Sequence, residues 1–518
     1  MARTKAGWGM VLLIAFIFLG TYFASRLTNL TKIPIFTDEA IYIRWSQIGA
    51  QDANWRFISL TDGKQPMFTW VMMVLLKILP GDPLFIGRLP SVLSGAMSVI
   101  GLWFLSYELF KNRRIAYVSS LLYIISPFSF VYDRMALYDS MVAMFSIWNF
   151  YIGILLVKTL RLDVALILGM ALGASMLNKT SGFLNLYMLP GTLLLFDWKS
   201  PSRLKRLIVW ILLLGISAVI SQGIYSVLRL TPLFHMITQK DALFVYPFSE
   251  WIKHPFTFFE GNIKGLLDWV IHYPTVPVFI ASLFPLLIFW QKTREKLLLY
   301  GYWLAPFVAL ALFGRVLYPR FIFFMTMPLL ITASLTIDWI IRKFHRSLFS
   351  ICLLLIIFIP SMLTDYYLLF DPVHALIPQA DRGQYINDWP AGWGVREVNT
   401  YLLEESKKGP LAVFTEGTFG LYPYAIEIYL VDKPNIKIHG IWPLPNEIPD
   451  VVVESALQKP TYVVIDQTAT TPLWPLELIA TYTKGLRIDR KMRLYKVILP
   501  KEAIDTIMNT KENREASL

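Results

Sequence analysis

Apolar positions along this chain come in long unbroken runs, not in the alternating or one-faced patterns of a soluble domain. In the first two thirds they recur at about the ~20-residue length that crosses a ~30 Å hydrocarbon core. They predict about eleven crossing helices, at approximately residues 8–24, 88–109, 115–131, 139–157, 164–177, 182–196, 207–228, 275–290, 297–313, 321–341 and 348–370. The first run is longer than a signal-peptide core and lacks a cleavage site, so it reads as a retained span. Residues 66–79 are apolar but too short to cross, which predicts a helix along the membrane surface. After residue 370 the pattern changes to short β-rich runs at 411–415, 426–430, 436–439, 461–466 and 493–497, alternating with helical patterns at 395–407 and 450–459. The expected architecture is mainly α: a polytopic transmembrane module, residues 1–370, followed by an α/β domain, residues 371–518.

Charge placement orients these spans. Basic residues cluster at Arg3/Lys5, Lys111/Arg113/Arg114, Lys158/Arg161, Lys199/Arg203/Lys205/Arg206, Lys292/Arg294/Lys296 and Arg342/Lys343/Arg346, each at the edge of an apolar run. The positive-inside rule puts these connectors on the cytoplasmic side. Counting 66–79 as a span would move them outside. Alternation then leaves three larger polar segments on the extracytoplasmic side: 25–87, 229–274 and everything after 370. The expected location is a plasma or inner membrane, with membrane lipids as solvent.

Composition agrees. Of 518 residues, 55% are hydrophobic and only 16% charged, outside the range of ordinary soluble domains. The net charge of +12 would suit a nucleic-acid partner, but its concentration in membrane connectors argues against one. The single cysteine, Cys352, lies within an apolar run, which excludes an intrachain disulfide or a thiolate metal site.

Acids beside a membrane need a reason, because they are costly to desolvate. Asp38 and Glu39 follow the first span by about a dozen residues, and Asp133, Arg134 and Asp139 fill the turn between two spans. Asp38 is a candidate general base for a hydroxyl nucleophile; the alternative is that the pair caps a helix starting near Ala40. Cations on the outer side run against the charge bias, which singles out Lys64, Arg88, Arg134, Lys179, Arg315 and Arg320. They suit phosphate, or else anchor helix ends by snorkelling. The outer histidines (His235, His254, His272, His374, His439) have no zinc spacing, and no metal ligand set is indicated. Aromatic residues of 229–274 read as an interfacial belt, with sugar stacking as the sharper alternative.

Six separated motifs in order carry a likeness: FTDEAIYIRWSQ, GKQPMFTWVMMVLLKIL, IGRLPSVLSG, SPFSFVYDRMALYDSMVAMF, LNKTSGFLNLYMLPG and RVLYPRFIFFMTMP. Through them the chain resembles the GT-C membrane glycosyltransferases of glycosyltransferase family 39 type, the protein O-mannosyltransferases and aminoarabinose transferases. The resemblance implies inverting transfer of one sugar from a polyprenyl-phosphate carrier to a lipid, protein or glycan acceptor on the outer face. It implies Asp38 as catalytic base with Glu39 beside it, Lys64 facing the donor phosphate and Arg88 supporting that region. Asp139 would hold the second outer loop against the first, and Arg134, Lys179 and Arg320 are further substrate-binding candidates. Metal need not take part, since cations can neutralise the leaving phosphate. This chain has Gln65-Pro66 where the family has Pro-Pro, and Gly63 where aminoarabinose transferases carry an acid, which weakens any metal ligand there. The WWDYG motif of oligosaccharyltransferases is absent from the sequence. The competing expectation is a transporter or lipid flippase, which predicts inverted repeats and charges at midplane depth; neither is evident.

Overall fold

The computed structural model describes residues 2–288, 291–345 and 347–500. Trp290 at the end of one expected span, Arg346 in the last basic cluster and residues 501–518 of the expected outer domain lie outside the described residues. The chain divides into two compact units: Met1–Lys32, Ile48–Pro80 and Phe85–Ala380 form the first, and Ile33–Gln47, Gly81–Leu84 and Asp381–Leu518 the second.

The first unit is helical, because backbone N–H and C=O groups in lipid have no partner but each other. Among the described residues seven helices are long and apolar enough to cross a membrane: Gly9–Leu27, Pro83–Phe110, Asp139–Thr159, Arg203–Leu230, Thr293–Phe313, Pro319–Lys343 and Leu348–Phe370. Each falls on an expected span. The other four expected spans differ. Residues 115–131 divide into Arg113–Ile125 and Pro127–Tyr132, because Pro127 lacks an N–H and holds Ser126 extended at φ −74°, ψ 124°. Leu162–Asn178 is one helix of 17 residues, about 25 Å at ~1.5 Å per residue. Residues 182–196 become Phe183–Met188 and a 3-10 turn, Leu189–Leu195, containing Pro190. The segment at 275 belongs to a bent pair, Phe259–His272 and Val276–Leu287, that turns by 100°. The stretch 66–79 forms the 12-residue helix Met67–Ile78.

Leu162–Asn178 packs on Arg203–Tyr225 through a Gly-x-x-x-Gly face. A Cβ on Gly169 would sit 2.8 Å from Ile220 Cβ, and one on Gly173 2.7 Å from Ile224 Cβ, so only glycine lets these backbones approach. Leu168, Leu172, Trp210 and Leu213 complete the contact with Ile152 and Leu156.

The second unit holds two sheets. Strands β1 (Ile35–Phe36) and β2 (Ala391–Gly392) pair antiparallel. The five-stranded sheet contains β3 (Leu411–Glu416), β4 (Ile436–Ile441), β5 (Thr461–Ile465), β6 (Leu476–Lys484) and β7 (Arg487–Val497), in the order β4-β3-β5-β7-β6. β3 runs parallel to both neighbours and is buried throughout, as is β5, the pattern of strands covered on both faces. Residues 426–430, expected as a strand, lie in the helix Leu421–Leu430. Joining parallel β3 to β4 requires a crossover, and this buried apolar segment supplies it. The β6–β7 hairpin extends far beyond the expected 493–497 run, because its outer strand is only half-buried and alternates too weakly to stand out.

Candidate active site

Asp38 and Glu39 stand in the first turn of the helix Thr37–Gln51, directly after β1. The Phe36 N–H donates to Glu39 Oε2 at 2.9 Å, and Glu39 is fully buried. This is half of a capping box, in which an acid in the first turn reaches back to the residue before the helix. The Thr37 N–H and hydroxyl both donate to Pro390 O, at 3.1 and 3.2 Å. The same helix is tied down further along by Arg44 Nε to Glu427 Oε2, 2.7 Å, and Gln47 Nε2 to Ile428 O, 2.9 Å. Asp38, unlike Glu39, is partly exposed. Glu39 thus makes the reach-back contact of a capping box, and Asp38 is the more exposed of the two acids.

In the first unit three of the predicted cations meet around one aromatic pair. Phe244 and Phe321 contact edge to face at 5.6 Å. Lys64 Nζ lies 5.7 Å from the Phe244 centroid and Lys179 Nζ 4.9 Å from that of Phe321. The Arg320 guanidinium lies 4.8 Å from the Tyr318 ring and 5.9 Å from Phe321. Local structure places each one. Gly63, at φ +66°, ends the 3-10 turn Ile58–Asp62 and sets Lys64 beyond it. Lys179 follows the helix Leu162–Asn178 in extended conformation, and Arg320 sits in the turn Pro319–Ile322.

Two carboxylates accompany these cations. Asp139, in the first turn of Asp139–Thr159, accepts from Lys179 Nζ at 2.6 Å. Asp241 was not anticipated. Burial pushes its carboxyl above the usual range, while a hydrogen bond from Thr180 and the charges of Lys64 and Lys179 act the other way. Gln65, the residue that departs from the family pattern, donates to Thr180 Oγ1 at 2.6 Å. Asp241 and Phe244 lie three apart on the helix His235–Phe244, a spacing that puts them on one face. That acid-aromatic pair, in a segment that the charge pattern places among the expected outer ones, was the available sequence signal. Lys64, Lys179 and Arg320 thus stand in the same cluster as the acids Asp139 and Asp241.

Arg88 and Arg134 are placed differently. Arg134 is fully buried; its Nη1 donates to Ser25 O (2.8 Å), Arg26 O (3.2 Å) and Thr28 O (2.8 Å), and its Nη2 to Asn29 O (2.7 Å). Through Nη1 and Nη2 it closes the carbonyl end of the first helix, which otherwise leaves its last C=O groups unpaired. Arg88, also fully buried, donates to Leu30 O at 2.6 Å in the same stretch. Beside them Asp133 accepts from Tyr22 and Tyr123 hydroxyls at 3.0 Å each and from Ser140 at 2.8 Å. Among the described residues no group of three or more His, Cys, Asp or Glu side chains is arranged to hold a metal ion.

Comparison with known proteins locates this architecture. A family model described as dolichyl-phosphate-mannose-protein mannosyltransferase matches residues 63–225. No curated protein matches the sequence. The fold is similar to the crystal structure of ArnT from Cupriavidus metallidurans bound to undecaprenyl phosphate, with TM-score 0.58 and 14% identity over 95% of this chain and 98% of that one. The apo ArnT structure gives TM-score 0.54 and 15% identity over the same shares. The oligosaccharyltransferase of Archaeoglobus fulgidus in complex with Zn and sulfate gives 0.50 and 13%, over 88% of this chain and 68% of that one. The chain therefore has the GT-C fold of polytopic membrane glycosyltransferases, of the type ArnT represents, and carries over residues 63–225 the sequence signature of the dolichyl-phosphate-mannose-protein mannosyltransferase family.

Proposed function

We propose that this protein transfers a single sugar, with inversion, from a polyprenyl-phosphate carrier to a hydroxyl acceptor on the extracytoplasmic face of the membrane. Asp38 takes the proton of the acceptor hydroxyl as its oxygen attacks the anomeric carbon. The bond from that carbon to the phosphate oxygen breaks, and polyprenyl phosphate leaves with the electron pair. Lys64, Lys179 and Arg320 meet the charge that develops on the phosphate. Asp139 holds Lys179 in place. Attack on the face opposite the leaving group inverts the anomeric centre in one displacement.

The observation that carries this reading is the convergence of Lys64, Lys179 and Arg320 on the Phe244–Phe321 pair, in a chain of GT-C fold. A phosphate there gains charge-assisted hydrogen bonds, and the aromatic faces suit a prenyl chain or sugar ring. The undecaprenyl phosphate bound to the similar ArnT makes the same carrier class the reasonable donor.

The test is turnover of a panel of polyprenyl-phosphate sugars by the full-length protein in nanodiscs, with a mixed membrane extract as acceptor. The wild type is expected to consume one donor. Asp38→Asn should lose roughly 10²–10⁴-fold in turnover, the usual worth of a general base, while still binding undecaprenyl phosphate. A wild type that binds no polyprenyl phosphate overturns the reading.

A further inference from the structure

The five-stranded sheet of the second unit reaches the Asp38 loop through a short chain of contacts. Lys484 ends β6 and is fully buried. Its Nζ donates to Trp389 O and Ala391 O, both at 2.9 Å, and stands 2.5 Å from Asp466 Oδ1. Asp466 follows β5, and its own N–H donates to Glu416 Oε2 at the end of β3, 2.7 Å. Glu416 also accepts from the Gln467 and Thr468 N–H groups, at 2.6 and 2.9 Å. The end of β3 is thus joined through Asp466, at the end of β5, to the ammonium that ends β6, and that ammonium grips the carbonyls on either side of Pro390.

Those carbonyls belong to the segment that carries the Asp38 loop. Pro390 O receives both donors of Thr37, and β2 pairs with β1 in the register Ile35↔Gly392, Phe36↔Ala391. Phe36 in turn is held by Glu39 and packs edge to face on Tyr385 at 4.9 Å. A two-residue strand pair is too short to be stable by itself, so its geometry depends on what anchors β2.

We propose that the C-terminal α/β sheet exists in part to position the catalytic loop, with Lys484 as the positioning residue that fixes β2 and, through β1 and Thr37, the backbone on which Asp38 stands. The proposal rests on the reading of Asp38 as the base. A lysine is suited to this role because its three donors can serve two carbonyls and one carboxylate together, and because a buried cation paired in this way tolerates little displacement.

Two variants of the full-length protein in nanodiscs test it. Lys484→Met removes the grip. Gly392→Ala leaves Lys484 and Asp466 untouched but places a Cβ 2.5 Å from Ile35 Cγ2 and 2.8 Å from Ile35 O, prising β1 from β2. Amide hydrogen exchange is followed in the 33–41 peptide and in a control peptide from 139–159, together with kcat and KM for the donor. Both variants are expected to speed exchange in 33–41 tenfold or more, to leave the control unchanged, and to lower kcat at least tenfold at constant donor KM. Lys484→Arg, which keeps the donors, should recover part of both effects. Unchanged exchange in 33–41 for Gly392→Ala, or faster exchange with unaltered kcat, overturns the proposal. Should Lys484→Met raise exchange in the control as well, it has unfolded and Gly392→Ala decides. A wild type that binds no polyprenyl phosphate defeats the proposed function instead, and the exchange result then judges the anchor alone.

Discussion

Asp38 and Glu39 are adjacent acids that differ in burial, and local pattern does not separate them. Both fall in a helical first turn, where a carboxylate is favoured by the free N–H groups and the dipole. The fully buried Glu39 closes onto the Phe36 N–H, whereas Asp38 keeps solvent access. The candidate cations differ in their surroundings as well. Lys64, Lys179 and Arg320 share an aromatic cluster, while the Arg134 donors serve four carbonyls at the end of the first helix. Substitution should therefore sort them. Lys179→Met and Arg320→Met are expected to weaken undecaprenyl phosphate binding on the order of tenfold each, with a reduced salt dependence, because each removes a charge-assisted contact. Arg134→Met is expected to lower stability by at least ~2 kcal/mol and leave the affinity of the protein that remains folded unchanged. Titration of each variant with undecaprenyl phosphate, alongside its thermal midpoint, checks both expectations; a binding defect without a stability defect for Arg134→Met would return that residue to the site.

Hydropathy locates apolar segments but does not say whether a segment is one helix. Residues 115–131 and 182–196 have the composition of spans and are broken at Pro127 and around Pro190, where the chain lacks a donor and the preceding residue avoids helical angles. Residues 426–430 read as a strand on β-branched and aromatic content, yet the β3 to β4 crossover makes them helical. Gly169 and Gly173 were readable as a packing face from their spacing of four, and the partner helix Arg203–Tyr225 was not. Gly173→Val should push that pair apart, since Ile224 Cβ already lies 2.7 Å from the position of an added Cβ. The cost of such overpacking is about 1–3 kcal/mol, to be measured as a lower thermal midpoint in detergent. An unchanged midpoint would mean that these helices do not rely on the contact.

At the scale of the whole molecule, the two units answer to different solvents and different rules. The first is organised by lipid. The second has a conventional sheet core, in which Ala412, Phe414, Val463 and Ile465 pack with Val452 and Trp474, around a buried polar centre. In that centre burial pushes the Asp466 carboxyl up to about 6, with Glu416 adding to the rise and Lys484 and Arg493 opposing it. The folded unit thus holds a proton between the ordinary carboxylate range near ~4 and about 6, where the unfolded chain has lost it. Stability linked to this group accordingly rises as pH falls from 7 toward 4. Amide exchange in β5 and β6, corrected for intrinsic rates, should slow over that interval in the wild type, and the slope should vanish in Asp466→Asn; an equal slope in both would assign the effect to another group. Taken alone, the amino-acid sequence determined the membrane-spanning character of the first two thirds, the positions of the apolar runs and which side chains there carry charge; it predicted about eleven crossings, where seven helices among the described residues are long and apolar enough to cross. These follow from hydropathy, charge placement and short motifs, all properties of neighbouring residues. Which of those side chains meet was decided by tertiary structure. Lys179 finds Asp139 across 40 positions, Arg134 finds the end of the first helix across more than 100, and Thr37 finds Pro390 across 353. Pairings at such separations depend on how helices and strands pack, because a charged group takes whichever partner the fold brings within hydrogen-bond distance.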